Sequence, residues 1–438
     1  MKIFLIVWSL FCTLSSSFGE GFSLENAYQE ALKSNASLKV TYHKWLVAKE
    51  QTNQSYARLL PNVVATAGQN RYFSATTNNP SYANSPSKYT TKSYELRVTQ
   101  PIINLPIHRE YSKSNIALHI SETEFMIAKQ ELMILVAQAY IDFLSSTDKL
   151  SLANAKVDTL SEQLADIQKR FELGDATVQD LSDTEAKYNI ALSQNMEAHL
   201  SKDLATAKFV EIVGKQPENL IQIIESPKYE NINNKMEELY GLVFVNNQNL
   251  LAKKLNLEIA KENIISNKEN LYPVVDAIGS INHYDTTDSI STMGYTSKQN
   301  YVGVQLTASL YSGGETTSKV LESQEKKNQA LEEYDATKKE LEYNVIKEYF
   351  GINTYVSQIK SYEMALKSSQ TAIEAAKVGF SVGARTQYEV LQAIEQYFNV
   401  KNSLFDAKYK YILSSLKLKM LVGELDEEDF KNLDFFVK

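Results

Sequence analysis

The sequence predicts a mainly α-helical chain that also carries a few amphipathic, membrane-spanning β-strands, with the whole pattern written twice. Three observations predict this fold class. The second half repeats the first at a near-constant offset, each half holds a heptad seam of apolar residues, and each half holds strands in which apolar and polar residues alternate. The eight prolines and fifteen glycines among 438 residues are few, which favours long uninterrupted helices.

Composition and charge exclude several classes of protein. With 43% hydrophobic and 22% charged residues, the chain can bury a core and is not a disordered protein. The strongly apolar run from Ile3 to Leu14 is too short to span a bilayer, which argues against a polytopic helical membrane protein. The net charge is −8 and basic residues form no block, so nucleic acid is not expected as a partner.

The N-terminus has the pattern of a secretory signal peptide, predicted to cover residues 1–19. A lysine at position 2 precedes the apolar run, and small residues follow up to Gly19, where cleavage is expected. The alternative is a buried N-terminal helix. Cys12, the single cysteine, lies inside the segment to be removed, and Phe11 before it argues against lipid attachment. The mature chain is therefore expected to be exported without disulfides or thiolate metal sites.

Self-comparison indicates a tandem duplication. It predicts a first repeat at 20–214, a linker at 215–235, a second repeat at 236–423 and a tail at 424–438. The tail and the linker are expected to pack together around the middle of the molecule. An offset of 212 residues relates Leu24, Ala27, Tyr28, Asn35 and Leu38 to Met236, Leu239, Tyr240, Asn247 and Leu250. An offset of 209 relates Tyr140, Phe171, Gly174, Tyr188 and Gly214 to Tyr349, Phe380, Gly383, Tyr397 and Gly423.

Each repeat is predicted to contain three helices. They lie at 24–60, 106–171 and 176–213 in the first repeat and at 236–271, 313–380 and 385–421 in the second. The first helix ends before Pro61, which cannot continue it. A helix of about 65 residues is about 100 Å long, too long for one globular domain to enclose. An ordinary coiled-coil dimer is the alternative. The heptad seam comprises Leu150, Ala153, Val157, Leu160, Leu164, Ile167 and Phe171, with a copy at Ile359, Tyr362, Leu366, Ser369, Ile373, Ala376 and Phe380.

Two β-hairpins are predicted at 61–101 and 273–311, with polar loops at 74–92 and 285–300. In the last strand Val302, Val304 and Leu306 alternate with polar residues or glycine, as expected for a strand with one face to lipid and one to a lumen. Five tyrosines are expected near strand ends, where aromatic girdles lie: Tyr72, Tyr94, Tyr284, Tyr301 and Tyr311. The alternative is one face of a β-sandwich.

Four strands cannot close a barrel, and an open sheet edge cannot face lipid, so the chain is expected to oligomerise. Two chains would supply eight strands and a barrel filled by side chains. Three chains would supply twelve strands and a lumen.

Three segments together resemble the TolC family of outer-membrane efflux ducts. They are Leu310–Gly314 at the strand-to-helix junction, Arg170–Asp180 at the first helix-hairpin tip and Phe380–Leu391 at the second tip. The resemblance implies a homotrimer with a twelve-stranded barrel in the outer membrane of a Gram-negative cell and an α-helical tunnel across the periplasm. It implies an exit duct for tripartite efflux or type I secretion. The implied partners are a periplasmic adaptor protein, an inner-membrane transporter of RND, ABC or MFS type, and outer-membrane lipid.

The helix-hairpin tips also have a purely local explanation. A reversing chain needs a residue that tolerates positive φ, which Gly174 and Gly383 supply, and Thr177 and Thr386 can cap the returning helices. An acid in the first turn of a helix is favoured by the helix dipole, which accounts in part for Asp180 and Glu389. An arginine there is unfavourable, so Arg385 is expected to have a partner.

The resemblance implies functional roles for the same tips. Arg385 matches the gate arginine, Asp180 its acidic partner, and Glu389 the first of two acidic constriction positions. Two residues depart from the family pattern: Phe380 replaces a hydrogen-bonding tyrosine, and Gln392 replaces the second acid. The expected adaptor-docking residues are Gly174, Asp175, Ala176, Thr177, Gly383, Ala384 and Thr386.

No motif in the sequence indicates catalysis. The five histidines are scattered, and no metal-hydrolase, serine-hydrolase or phosphate-loop pattern is present. The chain is therefore expected to be no enzyme and to need no cofactor or metal. The alternative functions are a periplasmic adaptor and a structural coiled-coil protein of the cell envelope.

Overall fold

A computed structural model describes residues 22–75, 87–217, 220, 229–232, 235–287 and 294–430. The expected signal peptide at 1–19 lies outside this range. Among the described residues, no helix combines the length and the apolar character needed to cross a membrane. The elements in chain order are α1 Leu24–Ser34, α2 Ala36–Ala57, β1 Asn62–Ala75, β2 Ser87–Ile103, α3 Leu105–Glu172, α4 Val178–Val213, α5 Met236–Asn246, α6 Gln248–Glu269, β3 Val274–Thr286, β4 Tyr295–Thr307, α7 Glu315–Ser381 and α8 Gln387–Val422.

The expectation of a single first helix in each repeat is wrong. Asn35 separates α1 from α2, and Asn247 separates α5 from α6, each with extended backbone angles. The Asn35 Oδ1 atom accepts a hydrogen bond from the Leu38 amide at 2.9 Å, and Asn247 Oδ1 accepts one from the Leu250 amide at 3.1 Å. An asparagine side chain that caps the following helix competes with helix continuation, and the duplication kept this break in both copies.

The four strands form one antiparallel sheet in the order β1-β2-β3-β4. The pairing of β2 with β3 joins the hairpin of the first repeat to that of the second, with Leu96 opposite Ile281. The register of this pair shifts between Pro101 and Ile103, where proline has no amide hydrogen for the ladder. Within the described residues, β1 and β4 each pair on one side only.

At the hairpin loops the strands extend beyond the expected bounds, so the loops predicted at 74–92 and 285–300 are too long. At its other end β4 stops at Thr307, short of the predicted 311. The strands contain 14, 17, 13 and 13 residues, because pairing continues where the sequence is polar. Tyr94 and Tyr301 lie in the middle of β2 and β4, which contradicts their expected place near strand ends, whereas Tyr72 and Tyr284 lie near the ends of β1 and β3 as expected. Every residue of β4 is exposed in the single chain, and Val302 is 91% exposed.

The chain contacts divide into two compact units that cut across the two sequence repeats. Of the described residues, the first unit comprises those up to Leu38, those between Lys129 and Val245 and those from Tyr343 onward, and the second comprises those between Lys39 and Ala128 and between Asn246 and Glu342. Each unit therefore combines segments from both repeats.

The core of the first unit includes the described part of the tail. Phe430 is fully buried, and its ring meets that of Tyr28 edge-on with centroids 5.5 Å apart. The Lys129 ammonium lies 2.9 Å from the Glu427 carboxylate. In the described part of the linker, the Ile232 amide donates to Asn353 Oδ1 at 3.2 Å. The tail thus packs on α1 and α3, and the linker packs on α7.

The second unit contains the sheet and an ion-pair cluster that joins α3 to α6. Arg109 lies 2.8 Å from a carboxylate oxygen of Glu262 and 2.7 Å from one of Glu269. The Lys113 ammonium donates to Asn263 Oδ1 at 3.2 Å. The bonds from Glu269, and then those from Glu262, raise the pKa of the Arg109 guanidinium. This cluster fixes the start of the long helix against α6.

Candidate functional site: the tips of the helical hairpins

The two hairpin tips lie in the first unit and share one backbone design. At the first tip, Gly174 has φ 83° and the Asp175 amide donates to the Arg170 carbonyl at 2.8 Å. At the second tip, Gly383 has φ 73° and the Ala384 amide donates to the Gly379 carbonyl at 2.8 Å. This is the six-residue closure that ends helices at a left-handed glycine. The predicted positive φ at both glycines is confirmed.

Each returning helix begins with a complete capping box. Thr177 Oγ1 accepts from the Asp180 amide at 3.1 Å, and an Asp180 carboxylate oxygen accepts from the Thr177 amide at 3.0 Å. Thr386 and Glu389 exchange the same two bonds at 3.3 and 2.8 Å. The predicted caps at Thr177 and Thr386 are confirmed, and the two acids have a structural role in the single chain.

The electrostatics of the second tip keep Glu389 ionised. The bond from the Thr386 amide, followed by its hydroxyl and then by the Arg385 charge, lowers the pKa of the Glu389 carboxyl. Arg385 Nη1 lies 4.0 Å from Glu389 Oε1, and both side chains are nearly half exposed. Within the described residues, Glu389 is the carboxylate within ion-pair distance of Arg385, whereas Asp180 faces its own cap.

Phe380 links the two tips. The Arg170 guanidinium lies 5.0 Å from the centre of the Phe380 ring, and Arg170 Nε donates to Asp166 at 3.0 Å. A cation over the face of an aromatic ring is attracted by its quadrupole. A phenylalanine at this position thus joins α3 to α7 without a hydroxyl group.

The other candidate residues lie on the surface. Gln392, at the second constriction position, is exposed. Six of the seven expected docking residues are also exposed, and the seventh, Ala176, is half-buried. The exposed set comprises Gly174, Asp175, Thr177, Gly383, Ala384 and Thr386.

A buried polar chain that no sequence pattern indicates lies directly behind the tips. Gln387, the first residue of α8, is fully buried. Its Oε1 atom accepts from Gln163 Nε2 on α3, and its Nε2 atom donates to Thr184 Oγ1 on α4, both at 3.2 Å. Thr184 Oγ1 in turn donates to the Asp180 carbonyl at 2.7 Å. Three helices are therefore joined by side chains whose donors and acceptors match.

An apolar layer and an ion pair lie next along the hairpins. Val390, Leu391 and Ile394 of α8 are buried with Leu160 of α3 and Ala191 of α4. Leu160 belongs to the predicted heptad seam of α3, so the sequence pattern indicated the α3 side of this layer.

A second link between α4 and α8 is an ion pair of Lys187 with Glu395. The bond from Lys187 lowers the pKa of the Glu395 carboxyl. Neither this pair nor the Gln387 chain belongs to a periodic pattern, so no local signal identified them.

The described part of the chain contains no group of three or more histidine, cysteine, aspartate or glutamate side chains that could hold a metal ion. What the tips present is a capped, charged and exposed surface at the end of two tightly joined helical hairpins.

Together the amphipathic four-stranded sheet, the duplicated long hairpins and the capped tips define an outer-membrane channel protein with a helical extension. The chain matches the model of the outer membrane efflux protein family over residues 27–215 and 239–424. It belongs to this family, and its location is the outer membrane. The resemblance and the fold class predicted from the sequence are thereby confirmed.

Curated relatives match almost the whole chain. Outer membrane protein TolC of Escherichia coli (strain K12) is 27% identical, covering 96% of this chain and 86% of the relative. Proteases secretion protein PrtF of Dickeya chrysanthemi is 24% identical, and the match covers 98% of this chain and 94% of the relative. Alkaline protease secretion protein AprF of Pseudomonas aeruginosa is 25% identical, covering 93% and 86%.

Solved structures share the fold. A membrane protein from Pseudomonas aeruginosa superposes with a TM-score of 0.80 at 19% identity, covering 92% of this chain and 91% of that one. The Campylobacter jejuni CmeC outer membrane channel gives 0.79 at 16% identity, covering 95% and 90%.

Proposed function

We propose that this protein is a homotrimeric exit duct that passes substrates from an inner-membrane pump across the periplasm and the outer membrane. The observation that carries the proposal is the family match over both repeats, combined with a sheet in which β1 and β4 each pair on one side within the described residues. Unpaired strand edges are not tolerated in lipid. Three chains supply twelve strands, enough to close a barrel with a lumen.

The proposed partners are a periplasmic adaptor and an inner-membrane transporter of RND, ABC or MFS type. The exposed tips around Gly174 and Gly383 support an adaptor-docking role, because they also expose the apolar side chains of Leu173, Val178 and Val382. Among the relatives, TolC is named as an outer membrane protein, and PrtF and AprF are named as protease secretion proteins. The transporter type sets the cargo in this proposal.

The proposed periplasmic gate is formed by Asp180, Phe380, Arg385, Glu389 and Gln392. In a closed trimer, Arg385 of one chain bonds Asp180 of its neighbour. Support comes from the exposed position of Arg385, whose separation from Glu389 within one chain is 4.0 Å, long enough to leave donors free for a second carboxylate. Three Glu389 carboxylates give the constriction a preference for cations, and their lowered pKa extends this negative charge to more acidic pH.

We also propose that the chain catalyses no reaction and that its energy source is the pump. The family is one of channel proteins. The two alternatives, a periplasmic adaptor and a structural coiled-coil protein, lack the duplicated hairpins and amphipathic strands that this chain has.

Membrane fractionation and planar-bilayer recording test the proposal together. The expected result is a heat-modifiable trimer in the detergent-extracted outer membrane that forms cation-selective channels with a low resting conductance. A soluble elongated dimer that forms no channel would contradict it.

A further inference from the structure

The two tips differ at two equivalent positions, where a large side chain in one tip corresponds to a small one in the other. The offset of 209 residues that relates the repeats pairs Arg170 with Gly379 and Ala176 with Arg385. The first tip therefore has a large residue at the end of its incoming helix and a small one in the turn. The second tip has the reverse order. Both turns are closed by a bond from the residue after the left-handed glycine, and the second tip adds a bond from the Arg385 amide to the Gly379 carbonyl at 3.1 Å.

The stem of Arg385 lies directly on the backbone of Gly379. A Cβ atom added at Gly379 would be 2.9 Å from Arg385 Cγ, 3.1 Å from Cδ and 3.4 Å from Cβ. Carbon atoms in van der Waals contact are about 3.5–4.0 Å apart. Any side chain at position 379 therefore requires the Arg385 stem to move, and because the contact starts at Cβ, rotation of the terminal group alone does not relieve it.

The backbone itself does not require glycine at this position. Gly379 lies within α7, and its carbonyl accepts from the amides of Ala384 and Arg385, bonds that an alanine would also make. Arg170 occupies the equivalent position of the first tip and carries a full side chain in the same turn. Glycine inside a helix is unfavourable relative to alanine. Its presence is explained by the contact with Arg385.

We propose that Gly379 is the positioning residue for the gate arginine: its missing side chain lets the Arg385 stem fold back over α7 and sets the direction of the guanidinium. This inference rests on the proposed function, in which Arg385 belongs to the gate. The partner of the positioned group is a carboxylate of a neighbouring copy of this chain.

The test variant is Gly379→Ala, with Gly351→Ala as the matched control in the same helix. A Cβ at Gly351 would meet Tyr355 at 3.6 Å and Ser414 at 3.8 Å, which are ordinary contacts. Both substitutions improve helix propensity, so neither is expected to lower the melting temperature of the trimer. In planar bilayers, Gly379→Ala is expected to raise the resting conductance to within about twofold of the Arg385→Ala value, because the two residues act through one contact. Gly351→Ala is expected to keep the wild-type value.

The double variant separates positioning from a general structural effect. In an Arg385→Ala background, Gly379→Ala is expected to change the conductance no further. Independent, multiplicative effects of the two substitutions would overturn the inference. The inference would also be overturned if Gly379→Ala had the resting conductance of the wild type while Arg385→Ala raised it.

A crystal structure of the Gly379→Ala variant gives a readout that does not depend on transport. Displacement of the Arg385 stem with α7 in place supports the inference. An unmoved stem with a shifted α7 overturns it. If Arg385→Ala has no effect on conductance, the proposed gate role fails, and the crystal structure still decides whether Gly379 positions Arg385.

Discussion

Removal of the side-chain amide of Gln387 is expected to destabilise the hairpin tips, because this residue is fully buried and its amide joins three helices. Gln387→Met keeps an unbranched side chain of similar length but deletes the acceptor for Gln163 Nε2 and the donor to Thr184 Oγ1. Thr184 keeps its bond to the Asp180 carbonyl, so its hydroxyl still has a partner. Gln163, a residue that is only 8% exposed, is left with an unpaired side-chain amide.

The magnitude follows from this one stranded group. A buried donor without a partner costs about 1–3 kcal/mol, so we expect the single variant to lose about 2 kcal/mol of local stability. Gln163→Met in the same chain removes the stranded amide. The double variant should therefore recover most of the loss, since an apolar replacement of both partners is close to neutral.

Hydrogen exchange of the trimer in detergent measures this directly. Amides in the first turns of α8 and α4 should exchange about 30-fold faster in Gln387→Met, which is 2 kcal/mol expressed as a rate ratio, and at nearly the wild-type rate in the double variant. Tyr388→Ala, next to Gln387 but 59% exposed, serves as the control and should leave exchange unchanged. Losses that simply add in the double variant would show that the two glutamines do not act as a pair.

Three further predictions concern other contacts. Phe430→Ala should lower the unfolding free energy by about 3–5 kcal/mol because the ring is fully buried on Tyr28, and a denaturation midpoint unchanged from wild type would show that the tail is dispensable. Arg109→Met should cost about 1–3 kcal/mol by leaving the Glu269 carboxylate, 10% exposed, without its partner. In the double variant Arg109→Met with Glu269→Gln, the melting temperature should partly recover. The Lys187 bond lowers the pKa of the Glu395 carboxyl. The ion pair therefore stabilises the folded protein fully above pH 4.5, the pKa of the unfolded chain, and this stabilisation is lost as the pH falls through the lower pKa of the folded state. Glu395→Gln should therefore flatten the fall of the melting temperature in that acidic range, and an unaltered pH profile would contradict this assignment.

Sequence patterns identified the local features of the tips. A glycine after a long periodic helix and a threonine at the start of the next one are short-range signals, so the turns at Gly174 and Gly383 and the caps at Thr177 and Thr386 could be predicted. The helix dipole accounted for the acids Asp180 and Glu389, and the structure adds their return bonds to the threonine amides. Asn35 and Asn247 recur at the offset of 212, but recurrence alone does not show that a helix starts after each of them. Hydrophobic alternation does not mark the strand ends, because backbone pairing continues through polar residues.

The amino-acid sequence by itself determined the duplication, the helical hairpins, the amphipathic strands and the family, because each depends on periodicity or spacing along one chain. Only the tertiary structure decided which side chains meet across helices: Gln387 with Gln163 and Thr184, Arg170 with Phe380, and the Arg385 stem with the bare backbone of Gly379. These contacts join positions far apart in the chain or depend on the direction of a single side chain. A few ångströms of helix placement create or abolish them, and no local propensity encodes that distance.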